Sequence, residues 1–78
     1  MKVPIVLPDL GASAARVSLW YVRPGEVVYE GDRVAEVLIP GVTFDVAAPA
    51  SGVLRDRSAL PGDSVFPGQE LGAIEVDQ

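Results

Sequence analysis

Apolar and polar residues alternate strictly over Val42-Thr43-Phe44-Asp45-Val46, the period of a strand with one buried face. The pattern predicts Val42, Phe44 and Val46 inward and Thr43 and Asp45 outward. Elsewhere, short runs of Val, Leu, Ile, Tyr and Trp are separated by Pro-Gly and Glu-Gly-Asp clusters, the residues that tight turns demand. No stretch of useful length keeps a helical spacing. Eight short strands are predicted, near residues 3–7, 15–22, 26–29, 33–39, 42–48, 51–57, 64–66 and 70–76.

A shift of 37 positions lays one half of the chain on the other. Pro24-Gly25-Glu26 falls on Pro61-Gly62-Asp63, Val28-Tyr29 on Val65-Phe66, Gly31 on Gly68, Val34 on Leu71 and Val37 on Ile74. Two copies are too few for a solenoid. They predict a compact domain with a pseudo-two-fold axis, each half supplying strands to both sheets, packed face to face as a flattened β-barrel or sandwich. The counterpart of Gly41 is Gln78, so the Pro40-Gly41 hairpin is expected at the end of the molecule remote from the C-terminus. Tyr29 and Phe66 are expected to cover equivalent spots in the two halves.

Composition bounds the rest. The 78 residues make one domain, 1–78, and a chain this short buries only about 60% of its unfolded surface. Hydrophobic residues at 49% and charged residues at 22% fit a folded domain. Fifteen residues are Gly or Pro, spread along the chain. The net charge of −5 leaves no basic face for a phosphate backbone, so no nucleic-acid partner is expected. With neither Cys nor His, disulfides, thiol chemistry, a zinc site and a His-based triad are excluded. The opening run Met1 to Pro8 is too short and Pro-broken for a signal segment or membrane span, so the expected location is cytoplasmic, with no membrane contact.

These residues resemble the lipoyl/biotinyl carrier-domain family, above all the lipoyl domains of acyltransferase subunits in 2-oxo acid dehydrogenase complexes. Ile5-Val6-Leu7-Pro8-Asp9-Leu10-Gly11 is similar to the family's opening strand and turn. Val17 to Val28, with Trp20 before Pro24-Gly25-Glu26, is similar to the stretch carrying a buried Trp before a Gly-acid turn. Gly31-Asp32-Arg33-Val34-Ala35-Glu36-Val37 resembles the strand entering the modified hairpin, and Thr43 to Val46 with Ala48 to Leu54 the strand leaving it. Pro61-Gly62-Asp63 through Glu75 resembles the closing half. The resemblance implies an all-β fold of two four-stranded antiparallel sheets with pseudo-two-fold symmetry, the barrel-sandwich hybrid.

The resemblance fails at one place. Family members bear lipoate or biotin on a lysine at the hairpin tip, within acid-Lys-Ala or Met-Lys-Met. Counting in from Val37 and back from Thr43 sets Gly41 at the lysine, Pro40 at the acid and Val42 at the Ala. Lys2 is the only lysine of the chain. No cofactor is therefore expected, since lipoate and biotin need an amine to form their amide. Arg55-Asp56-Arg57-Ser58 is also more polar than the family's strand.

What remains is a non-catalytic interaction or structural module, associated through the resemblance with a 2-oxo acid dehydrogenase or acyltransferase system. Two alternatives stand beside it: a positioning domain of a larger acyltransferase, and a lipoyl-like module of a membrane-fusion adaptor. The candidate interaction tip is Leu38, Ile39, Pro40, Gly41 and Val42, apolar almost throughout although Pro-Gly is itself an efficient turn. A protein partner or self-association is expected there. Trp20 and Phe44 are expected in the core, which needs large side chains. Asp9, Glu26, Asp32, Asp45, Asp63 and Glu70 sit mostly beside turns and lack ligand spacing. Arg55-Asp56-Arg57 reads as an exposed strand face. No nucleophile-base pair or phosphate-cradling Gly-Lys-Ser loop occurs, so the domain is not expected to be an enzyme.

Overall fold

The computed structural model describes residues 1–12 and 14–77. Its eight strands are β1 (Lys2–Val6), β2 (Ala15–Trp20), β3 (Val27–Val28), β4 (Arg33–Ile39), β5 (Val42–Ala47), β6 (Gly52–Arg57), β7 (Ser64–Val65) and β8 (Glu70–Glu75). Each corresponds to a strand expected from the sequence. They form two antiparallel four-stranded sheets, ordered β1-β8-β6-β3 and β5-β4-β2-β7. No helix among the described residues is long and apolar enough to cross a membrane.

The repeat is built into the hydrogen bonding. Adding 37 to β2, β3 and β4 gives β6, β7 and β8, so the two sheet orders are the same order. Gly25 N–H donates to Leu54 O at 2.7 Å, and Gly62 N–H donates to Val17 O at 2.8 Å. Each Pro-Gly turn is thereby fastened to the other half's strand. The turns close on side chains in matching places. Arg23 N–H donates to Glu26 Oε1 (2.7 Å) and Leu60 N–H to Asp63 Oδ2 (2.9 Å). Tyr29 N–H donates to Asp32 Oδ2 (3.0 Å) and Phe66 N–H to Gln69 Oε1 (2.9 Å).

Four register shifts also fall in symmetric pairs. One lies between Val17 and Leu19 in β2 and its mate between Leu54 and Asp56 in β6. The other two set Val34 of β4 and Leu71 of β8 opposite no single partner, and both side chains are fully buried. A bulge re-aims a side chain; here it adds two residues to a thin core.

That core also holds Ile5, Leu7, Val17, Val28, Val37, Leu54, Val65 and Ile74, and among the described residues it buries no polar side chain. Trp20 packs against its margin and donates Nε1–H to Ala59 O at 2.8 Å. Its ring passes over Gly72, where a Cβ would lie 3.1 Å from Trp20 Cη2 and collide with the Asp56 carbonyl. The molecule is elongated, 38 × 19 × 19 Å.

Two expectations about burial need correction. Val42 and Phe44 are not core residues: they remain 55% and 36% exposed, and of the alternating set only Val46 is buried. Their direction is as expected, because Phe44 pairs with buried Val37 and Val42 with Ile39. Yet β5 is an edge strand with β4 on one side only, and cover fades towards the hairpin. Tyr29 and Phe66 do take equivalent places, but both are exposed and neither covers the core. The counterpart of Gly41, Gln78, lies outside the described residues.

Candidate functional site

Strands β4 and β5 run as one antiparallel ladder from Ala35↔Val46 to Ile39↔Val42, leaving Pro40 and Gly41 as the whole loop. Gly41 has φ +83°, the third position of a type II turn, with Pro40 pre-set for the second. The alternation of the strand divides the expected tip residues. Leu38 points away from the core and is 49% exposed, while Ile39 packs partly against the core margin. Pro40, Gly41 and Val42 are exposed. The five residues thus lie together, but they present two faces rather than one apolar surface.

A cleft of about 290 Å³ opens beside this tip, between it and the start of β2. Leu38, Ile39, Pro40 and Gly41 form one wall; Ala14, Ala15, Arg16 and Ser64 form the other. Arg16 pairs across the sheet with Leu38, which sets a basic and an exposed apolar residue on the same face of the sheet. Sequence reasoning missed the cleft, since it depends on the β2–β4 register. The tip holds no amine. Lys2 lies on β1 in the other sheet, with Nζ 3.0 Å from Asp56 Oδ2. That bond, and the nearby negative charge of Asp56, raise the ammonium's pKa above its ordinary value.

Farther along the outer face of the same sheet is a polar group that the sequence did not reveal. Tyr21 O–H donates to Asp45 Oδ1 at 2.9 Å, and Glu36 Oε2 lies 3.4 Å from the same phenol oxygen. Arg33 stacks 4.9 Å from the Tyr21 ring centre and reaches Asp45 Oδ2 at 3.5 Å. The bond to Asp45 is the main cause that raises the Tyr21 pKa above its ordinary value. All these groups face water, so the contacts orient β5 against β2 without a large contribution to stability. The one available sequence signal was the Glu36↔Asp45 pairing implied by a two-residue hairpin loop.

The other candidates are dispersed. Asp9 accepts the Gly11 N–H at 2.9 Å within its own turn, and Glu26, Asp32 and Asp63 close the turns described above. Arg55 and Asp56 are exposed, as expected, but Arg57 is half-buried and its Nε has no hydrogen-bond partner. Among the described residues, no three His, Cys, Asp or Glu side chains gather as metal ligands.

Known proteins share this architecture. A family model described as "Biotin-requiring enzyme" matches residues 3–74. The chain is 35% identical over 75 residues to the lipoamide acyltransferase component of the branched-chain alpha-keto acid dehydrogenase complex of Pseudomonas putida, covering 94% of this chain and 18% of that protein. It is 34% identical over 76 residues to the dihydrolipoyllysine-residue succinyltransferase component of the 2-oxoglutarate dehydrogenase complex of Rickettsia conorii, covering 95% and 19%. The chain therefore spans less than a fifth of the length of these two relatives. The solution structure of the lipoyl domain of the 2-oxoglutarate dehydrogenase complex from Azotobacter vinelandii matches with a TM-score of 0.77 at 26% identity, over 97% of this chain and 99% of that one.

Proposed function

The chain belongs to the family of lipoyl and biotinyl domains, and from that premise we propose that it keeps the family's scaffold without the swinging arm. It serves as a protein-interaction or structural module, in the cytoplasm, within a 2-oxo acid dehydrogenase or related acyltransferase system. The observation that carries this reading is Gly41 at the tip of the β4–β5 hairpin, where counting along the sequence sets the family's lysine and where no side chain is present. Lipoate and biotin attach through an amide to a lysine amine, so the residues at this tip do not fit either group. Lys2 does not substitute, being on a strand of the opposite sheet and engaged by Asp56.

The exposed Leu38 and Val42, beside the cleft with Arg16, support a docking role for the tip. An exposed apolar group next to a cation suits a partner segment that carries both apolar and acidic residues. Co-expression with a lipoyl ligase and separately with a biotin ligase, followed by intact-mass measurement, tests the central claim. An unchanged mass is expected in both cases; an adduct of either group overturns the proposal.

A second reading follows from the short span of the relatives that the chain covers. Within a longer acyltransferase the same module positions neighbouring domains instead of carrying acyl groups. A parent gene encoding a catalytic domain supports that reading, and a gene encoding this module alone rejects it.

A further inference from the structure

The two long edge strands, β5 and β1, are equivalent under the internal symmetry, yet they treat their open sides differently. Along β1, Met1 O accepts the Val76 N–H at 2.8 Å and Leu7 N–H donates to Gln69 O at 2.9 Å. Odd-numbered residues therefore bond towards β8, and even-numbered Lys2 and Pro4 turn their backbone groups to the open side. Along β5, Ala48 N–H donates to Asp32 O and Ala48 O accepts the Gly31 N–H. Here even-numbered residues face β4, and Thr43, Asp45 and Ala47 face outward.

Register makes these positions correspond. Pro4 pairs with Ala73 and Asp45 with Glu36, and residues 36 and 73 are repeat mates. Proline and lysine are the residues with which natural sheets blunt an edge. β1 has both, Pro4 lacking the outward N–H and Lys2 adding charge. β5 has neither, and it leaves Phe44 and Val42 exposed besides. The remaining edges, β3 and β7, are two residues each.

We propose that β5 is a self-association edge, where two copies of this chain pair antiparallel around a two-fold axis at Phe44. In that register Phe44 faces its own copy, Thr43 faces Asp45 and Val42 faces Val46. Thr43 and Asp45 exchange backbone hydrogen bonds, and the Thr43 hydroxyl meets the opposing carboxylate. Phe44 falls at a non-hydrogen-bonded pair, where side chains approach closest and aromatic pairs add stability. An axis at Asp45 would oppose two like charges. The sequence of β5 is thus complementary to itself in this register, which an isologous dimer requires. Arg33 and Tyr21 already engage Asp45 on the outer face, which lessens repulsion between the copies. The inference stands apart from the carrier question, since a lipoylated tip would leave this edge unchanged.

Sedimentation velocity over a rising concentration series, with amide exchange followed by NMR, tests it. The chain is expected to pass from monomer to dimer, with exchange slowing at Thr43, Asp45 and Ala47. Asp45→Pro copies into β5 the guard that β1 carries, and Phe44→Glu sets two carboxylates together at the axis. Each is expected to weaken the dimer about tenfold or more, equivalent to about 1.4 kcal/mol. Asp45→Asn keeps the N–H and a side-chain acceptor for Thr43, and is expected to weaken the dimer far less than Asp45→Pro. Circular dichroism verifies the fold of each variant, and Phe44→Glu decides the matter if Asp45→Pro unfolds. A monomer at every concentration overturns the proposal. So does a folded Phe44→Glu variant that dimerises unchanged, or concentration-dependent protection confined to other strands.

Discussion

Trp20 and Gly72 belong to opposite sheets, and the indole of one lies over the backbone of the other. A Cβ on Gly72 would come within 3.1 Å of Trp20 Cη2 and would strike the Asp56 carbonyl of the neighbouring strand. The indole is also held by its Nε1–H bond to Ala59 O, so it has little freedom to retreat. The glycine of β8 is therefore a packing requirement rather than a turn residue.

Gly72→Ala is accordingly expected to destabilise the domain. Overpacking costs about 1–3 kcal/mol, and the backbone carbonyl, unlike a flexible side-chain end, yields little. In a domain of this size each kcal/mol lowers Tm by about 4–8 °C. Thermal unfolding followed by circular dichroism checks it; an unchanged Tm would show that the sheets separate freely at this point.

Neighbouring residues of β4 are expected to behave in opposite ways. Val37 is fully buried and Leu38 is about half exposed. Val37→Ala is expected to cost about 2 kcal/mol or more, from lost transfer energy and the cavity left behind. Leu38→Ala is expected to stay within about 0.5 kcal/mol of the parent. Urea denaturation of both variants measures the contrast.

The hairpin tip allows a gain-of-function experiment. Replacing Pro40-Gly41-Val42 with Asp-Lys-Ala is expected to create a lipoyl-ligase substrate, visible as a mass adduct. Gly41→Lys alone is expected to cost about 1 kcal/mol, because φ is +83° there and a residue with a Cβ is strained in that region. A folded triple variant that no ligase modifies would show that the hairpin's flanks, too, differ from those of a carrier domain.

Tyr21 yields a pH dependence with a definite sign. Its hydrogen bond to Asp45 raises the phenol's pKa above the ordinary value near 10. A raised folded-state pKa means that the bond's contribution is fully present below pH 10 and lost as pH rises through the folded value. Asp45→Asn removes the acceptor charge and is expected to bring the Tyr21 titration down towards 10. Tyrosine ring resonances followed by NMR from pH 8 to 12 test this; an unmoved titration would assign the shift to another group.

Much of the architecture was legible because its signals are local. Pro24-Gly25 and Pro61-Gly62 mark the turns, and the 37-residue shift pairs the halves from sequence alone. The place of the hairpin and the lack of an amine at its tip were equally plain. The cleft and the Tyr21–Asp45 contact were not, since each joins residues whose proximity depends on strand register and on a bulge between Val17 and Leu19. A bulge adds one residue without any compositional mark as strong as Pro-Gly.

The sequence by itself determined the eight strands, the symmetry between their two sets, and the faces of the alternating run Val42 to Val46. A period of two and a pair of turn residues suffice for that, since both act within a few residues. Only the tertiary structure decided how much of each face meets water. Val46 and Phe44 share one face of one strand, yet Val46 is buried and Phe44 is exposed. Burial needs a covering layer, and β5 sits at the edge of its sheet, where cover depends on neighbours distant in the chain. The same fact leaves Thr43 and Asp45 with outward backbone groups on an open edge, while Lys2 and Pro4 guard its counterpart.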